Sequence, residues 1–90
     1  VAADLTVTIA GRNGSMSFSP NPASLKVGQK VAWRNNDGIT HTATANSGAF
    51  DTGSIGAGAT SAAITLTAAG SWDYICKIHP SMVGTVTVTQ

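Results

Sequence analysis

The 90-residue chain balances five Lys/Arg against four acidic residues for a net charge of +1, and only 10% of its positions are charged, well under the ~25% usual in soluble domains. That balance excludes a basic nucleic-acid footprint and an acidic tail, and no run approaches the ~18 apolar residues of a membrane-spanning helix. The length accommodates one domain over residues 1–90, and a single cysteine excludes an intramolecular disulfide.

Taken in order, Leu5-Thr6-Val7-Thr8-Ile9 alternates apolar and polar residues, the pattern of a strand with one buried face. Gly11 to Ser15 contains Asn13-Gly14 and reads as a turn; Met16 beside it has no partner nearby and reads as packing or surface. Ser17-Phe18-Ser19 is a short extended piece that Pro20 and Pro22 keep out of the middle of a hydrogen-bonded ladder. Ser24 to Val27 alternates again, and Gly28-Gln29 turns the chain into Lys30 to Asn35. There Val31 and Trp33 share the core face, opposite Lys30, Ala32 and Arg34. His41 to Ala45 is weakly extended. Residues 46–60 are rich in Gly, Ala and Ser, with Phe50 and Ile55 as their large anchors. Strand character resumes from Thr60 to Leu66 and from Ser71 to Cys76, and Gly84 to Thr89 closes the chain with strict alternation. No stretch sustains a helical period. Seven or eight short strands at these spacings predict an all-β fold, an antiparallel β-sandwich.

The chemistry is concentrated between the last two strands. Cys76, His79 and Met82 lie at i, i+3 and i+6, bringing the only cysteine, one of two histidines and one of two methionines into one loop. Trp72, Tyr74 and Cys76 share one parity, so a core-facing Trp72 turns the sulfur inward as well. Pro80 biases His79 toward an extended backbone and narrows the freedom of the loop. His41, at the end of another extended run, would bring a second segment to the same ion. Thiolate, thioether and imidazole donors suit copper rather than hard cations, and a trigonal His₂Cys set with a long axial Met is the electron-transfer copper arrangement.

Plainer readings carry less. A lone Cys is usually an inert small hydrophobe, but here the scarce ligand types meet in one loop at a strand end. Structural zinc prefers four Cys/His ligands, and the chain has three. A Cys–His nucleophile pair would lack an orienting Asn or Asp and an oxyanion hole.

Pro22 to Val27, Gly28, Val31-Ala32-Trp33, Asn35-Asn36 and His41 resemble the stretch that leads to the first histidine ligand of the cupredoxins, the plastocyanin–amicyanin–azurin group of type 1 copper proteins. Gly70 to Tyr74, Cys76, His79, Met82 and Gly84 to Val88 resemble the family's C-terminal half. The C-x2-H-x2-M spacing with Pro80 is most similar to amicyanin. The resemblance implies a Greek-key sandwich of eight strands with one copper at one end, bound by His41, Cys76, His79 and Met82. It implies one-electron shuttling between redox-partner proteins by a monomer. Electrons would pass at the His79 edge, amid an apolar patch of Ile39, Ile78 and Pro80. One departure stands out: Thr42 occupies the position where many members carry an Asn that bridges the ligand loops and supports the sulfur. A reduction potential shifted from plastocyanin-like proteins is therefore expected.

Ile75 and Lys77 flank Cys76, and no histidines remain for the second copper centre of multicopper oxidases or nitrite reductases, so catalysis by this chain is not expected. The rival function is a copper storage or delivery module, which would usually offer several exposed ligands that hand the ion on. With little charge to steer association, docking should rely on the apolar patch. The resemblance, with a start at Val1 lacking an initiating Met, leads to an extracytoplasmic expectation (periplasmic, secreted or lumenal).

Overall fold

All regular structure is extended in the computed structural model, which describes residues 3–10, 17–19, 21–79 and 81–90. The turn expected over 11–15, Met16, Pro20 and Pro80 lie outside the described residues. Eight strands follow in chain order: β1 (Leu5–Ile9), β2 (Phe18–Ser19), β3 (Ala23–Lys26), β4 (Lys30–Asn35), β5 (Thr44–Ala45), β6 (Ile64–Thr65), β7 (Gly70–Ile75) and β8 (Val83–Thr89). They form two four-stranded sheets, in the orders β2-β1-β4-β6 and β3-β8-β7-β5.

Period-two alternation explains which side chains fill the space between the sheets. Val7 and Ile9 from β1, Val31 and Trp33 from β4, Leu25 from β3, and Val86 and Val88 from β8 are buried in one core, while the threonines and lysines between them face outward. Ala32 departs from the expected pattern: it is buried on the outer side of β4, apart from that core. The run from Thr60 to Leu66 pairs as a strand only at Ile64–Thr65. Ahead of it, the Ser61 hydroxyl accepts a 2.9 Å hydrogen bond from the Trp33 N–H, and the Ser61 N–H donates to the Trp33 carbonyl at 2.7 Å. A serine side chain thus takes a place that a ladder hydrogen bond would fill.

The sandwich is not purely antiparallel. β1 runs parallel to β4 and β3 parallel to β8, while the other pairs are antiparallel. After β2 the chain leaves the first sheet, lays β3 in the second, and returns as β4 beside β1. A crossover of that kind brings a strand back in its original direction, which a tight hairpin cannot do. Gly28, at φ 88°, makes the sharp turn between β3 and β4 that the crossover needs.

Aromatic rings join the layers. Trp33 of β4 meets Tyr74 of β7 edge to face at 5.3 Å and stacks on Phe50 at 5.4 Å; Phe18 meets Tyr74 at 4.7 Å. Such pairs add about 0.5–1.5 kcal/mol each beyond area burial. Among the described residues, the Trp33 indole N–H and the Tyr74 hydroxyl have no hydrogen-bond partner. Burial pushes the Tyr74 hydroxyl up to about 12, a rise that the nearby indole N–H partly offsets without closing a hydrogen bond.

Tyr74 lies directly opposite Gly84 in the β7–β8 ladder, and its ring occupies the place of the missing side chain. A methyl group on Gly84 would sit 2.4 Å from the ring carbon Cζ and 2.5 Å from the hydroxyl oxygen. Gly84→Ala should therefore cost about 1–3 kcal/mol through overpacking. Urea denaturation would measure this as a lower midpoint with an unchanged slope; a variant as stable as the parent would show that the ring can move aside.

Candidate metal centre

The β7–β8 hairpin sets up the two sulfur side chains. Its last strand pair is Ile75 with Val83, so Cys76 and Met82 stand opposite one another one step further on. The Cys76 N–H donates to the Met82 carbonyl at 3.1 Å, continuing the ladder past the strand ends. Tyr74 and Cys76 share the inward parity of β7, as Met82, Gly84 and Val86 share that of β8. Both sulfur side chains are accordingly fully buried. Between them the loop doubles back, with the Met82 N–H donating to the His79 carbonyl at 2.9 Å. That turn carries the half-buried His79 ring over the cysteine.

His41 arrives from a different direction. Residues 41–45 run beside the end of β7, where Thr44 pairs with Ile75 and Ala45 with Tyr74. Behind them, His41 and Ile55 exchange two backbone hydrogen bonds of 3.1 and 2.7 Å. The Gly/Ala/Ser-rich segment therefore does specific work: its two large residues, Phe50 and Ile55, are both buried, and Ile55 backs the His41 main chain.

His41, Cys76 and His79 bring one donor atom each to within 4.8 Å of one another. The Cys76 Sγ lies 3.7 Å from His41 Nδ1 and 3.9 Å from His79 Nδ1. With metal–sulfur and metal–nitrogen bonds of about 2.3 and 2.0 Å, donors set trigonally around one ion lie roughly 3.8 Å apart. The two sulfur–nitrogen distances meet that requirement, and with Met82 buried at the Cys76 position of the opposite strand, the donor types fit copper.

Thr42, placed by sequence where an Asn is common, spans the two ligand segments. Its backbone N–H points at the Cys76 Sγ at 3.4 Å, and its hydroxyl accepts a 2.9 Å hydrogen bond from the Lys77 N–H. The hydroxyl proton is then directed toward Thr44 Oγ1, a long contact of 3.4 Å, and Thr44 in turn donates to Asp51 at 2.9 Å. Lys77 reaches the same carboxylate at 3.2 Å. The Gly53 backbone N–H, then the Thr44 hydroxyl, with further help from Lys77, hold the Asp51 carboxyl below its ordinary range.

Of the residues expected in the apolar patch, Ile39 is 39% and Ile78 is 49% exposed. Two residues to which the sequence assigned no role stand behind the candidate centre. Asp37 Oδ2 lies 2.7 Å from His41 Nε2. Asn35, fully buried, donates to the carbonyls of Ile39 and Ile55 at 2.7 and 2.9 Å. A carboxylate four residues before a candidate histidine was the available signal, but a loop containing Gly38 permits many geometries for it.

Comparison with known proteins agrees with the geometry. Residues 5–89 match the family model of copper-binding proteins of the plastocyanin/azurin family. The chain is 28% identical to the plastocyanin of Scenedesmus fuscus, with 94% of this chain and 99% of that protein covered. A purple cupredoxin from Nitrosopumilus maritimus superposes with a TM-score of 0.82 at 26% identity, covering 96% of this chain and all of that one. A copper(I) amicyanin variant superposes at 0.79 with 28% identity, over 98% of this chain and 85% of that one.

Thr42→Val keeps the shape of the side chain and deletes the acceptor for the Lys77 N–H. It should cost about 1–2 kcal/mol, while Thr42→Ser stays near the parent. Denaturant titration of the metal-free proteins would check this, and equal losses in the two variants would contradict it.

Proposed function

The chain belongs to the plastocyanin/azurin family of copper-binding proteins, and on that footing we propose that it carries single electrons on one type 1 copper held by His41, Cys76, His79 and Met82. The observation that carries this reading is the spacing of one thiol and two imidazole nitrogens at 3.7 and 3.9 Å in a buried cluster. Copper bound there supplies a one-electron Cu(II)/Cu(I) couple.

The side chains around it have definite tasks. Cys76, His41 and Met82 are walled off from solvent, which excludes water and strengthens the electrostatic interactions of the donors. The Thr42 N–H lends positive dipole to the sulfur. Segments 41–45 and 76–82 are tied together by hydrogen bonds between protein groups, which supports donors that need little rearrangement between oxidation states. His79 alone of the four is only half-buried, which supports its role as the edge where electrons enter and leave.

Redox-partner proteins dock on the apolar surface beside that edge, with Ile39 and Ile78 as its described members and Pro80 as the third. The exposure of Ile39 and Ile78 supports this, and the net charge of +1 leaves little long-range steering to compete with it. The chain acts as a monomeric single domain over 1–90, without catalysis of its own, in an extracytoplasmic compartment. Family membership supports these assignments. Among the described residues no helix is long and apolar enough to cross a membrane.

Adding Cu(II) to the metal-free protein should produce an intense blue or violet band that bleaches reversibly on reduction, and Cys76→Ser should abolish it because the thiolate gives the charge-transfer transition. A colourless Cu(I) site that chelators strip easily would favour storage or delivery instead.

The patch can be probed without knowing the partner. Electron self-exchange between two copies, followed by NMR line broadening, should slow by about tenfold or more in Ile78→Lys, equivalent to ~1.4 kcal/mol. A rate that ignores this substitution would remove the patch from the reading.

A further inference from the structure

The polar network behind His41 does more than close a loop. His41 Nδ1 faces the Cys76 sulfur at 3.7 Å, while Nε2 lies 2.7 Å from Asp37 Oδ2. A carboxylate has no proton to give, so Nε2 carries the hydrogen and donates it, which leaves the Nδ1 lone pair aimed into the donor cluster. The other carboxylate oxygen accepts the Gly38 N–H at 2.8 Å. The Asp37 backbone N–H is in turn held at 2.9 Å by the Asn35 side-chain oxygen. Asn35 therefore engages Asp37, Ile39 and Ile55, the last of which grips the His41 main chain. Backbone and ring of His41 are fixed from the same buried amide.

We propose that Asp37 is a positioning residue for the metal centre: oriented by Asn35, it locks His41 as the Nε2–H tautomer and, through its negative charge on the far ring nitrogen, lowers the reduction potential of the bound copper. The inference rests on His41 being a ligand. A carboxylate hydrogen-bonded to a ligating imidazole makes the ring a better donor, and the more electron-rich ring favours the higher charge of Cu(II). Because the Asp37 side chain is only 28% exposed and its partner ring is fully buried, this charge acts with less screening than one on the open surface. The plainer role for Asp37 is to close a turn with Gly38 and nothing more. The two roles separate because Asp37→Asn keeps an oxygen acceptor for the turn but removes the charge.

The test compares copper-loaded wild type, Asp37→Asn, Asp37→Ala and Asp73→Asn by spectroelectrochemical titration. Asp73→Asn removes an equal charge from the exposed outer face of β7, where Asp73 accepts from the Thr85 hydroxyl. The potential should rise in Asp37→Asn by clearly more than in Asp73→Asn, with the coloured band retained. Copper affinity in Asp37→Ala should fall by about 10- to 100-fold. In the metal-free proteins, ¹⁵N-detected NMR should show His41 as the Nε2–H tautomer with a hydrogen-bonded ring proton in wild type, and loss of that proton signal in Asp37→Ala. Equal shifts in Asp37→Asn and Asp73→Asn, or a His41 ring signal unmoved by Asp37→Ala, would overturn the proposal. A coloured wild type whose potential ignores Asp37 sinks the tuning alone, whereas a wild type that takes up no copper sinks the proposed function and the tuning with it.

Discussion

The register of the β7–β8 hairpin is the constraint on which the centre depends. Because Ile75 pairs with Val83, Cys76 and Met82 fall on one rung and both turn inward. A slip of one residue would reverse the parity of every side chain on a strand and turn its sulfur outward. The same register sets Tyr74 against Gly84, where any larger residue would collide with the ring. The phenol therefore acts as a gauge for the pairing two rungs away from the sulfurs. Packing in the core and geometry at the metal centre are thus enforced by one set of strand pairs.

A copper carrier needs its donors held before the ion binds and unchanged when its charge changes. The fold meets this by backing Cys76 and His41 with hydrogen bonds, the first from a segment distant in sequence and the second from the loop just ahead of it. Thr42 addresses the Cys76 sulfur through its main chain and the Lys77 N–H through its hydroxyl. A backbone N–H is available to any residue there, which is why exchanging the customary Asn for Thr leaves the sulfur contact in place. Only the link between the loops depends on the side chain, and a hydroxyl that can accept is sufficient for it. His41 has a corresponding support in Asp37 and Asn35. The two supports differ in sign: an N–H dipole beside the sulfur favours the electron-rich state of the centre, and a carboxylate behind the imidazole favours the electron-poor one.

Burial separates the four proposed donors: three are sealed from solvent, and His79 sits in the turn of the hairpin loop with partial access. The exposed Ile39 and Ile78 come from the two loops that supply the histidines. An apolar docking face, as proposed, suits a chain with so few charges.

The ligand types and their spacing were legible in the sequence, because Cys76, His79 and Met82 belong to one short loop and the alternation of β7 and β8 is local. Shared parity with Trp72, if that ring faced the core, predicted an inward Cys76 sulfur; Trp72 packs against the core only partly buried, and Cys76 is fully buried. Val31 and Trp33 were legible as core residues from the alternation of their strand, and Phe50 and Ile55 as the large anchors of a stretch of small residues; all four are buried in the core. The parallel pairing of β1 with β4 and of β3 with β8 was not legible, since it follows from how the chain crosses between sheets and leaves no periodic mark. Nor were the roles of Asp37, Asn35 and the Thr42 hydroxyl. A hydrogen bond depends on direction to within tens of degrees and on distance to within tenths of an ångström. Loop residues acquire such geometry only when the tertiary structure sets the segments side by side. The sequence determined which atoms could bind the metal, and the packing of the two sheets decided what stands behind them.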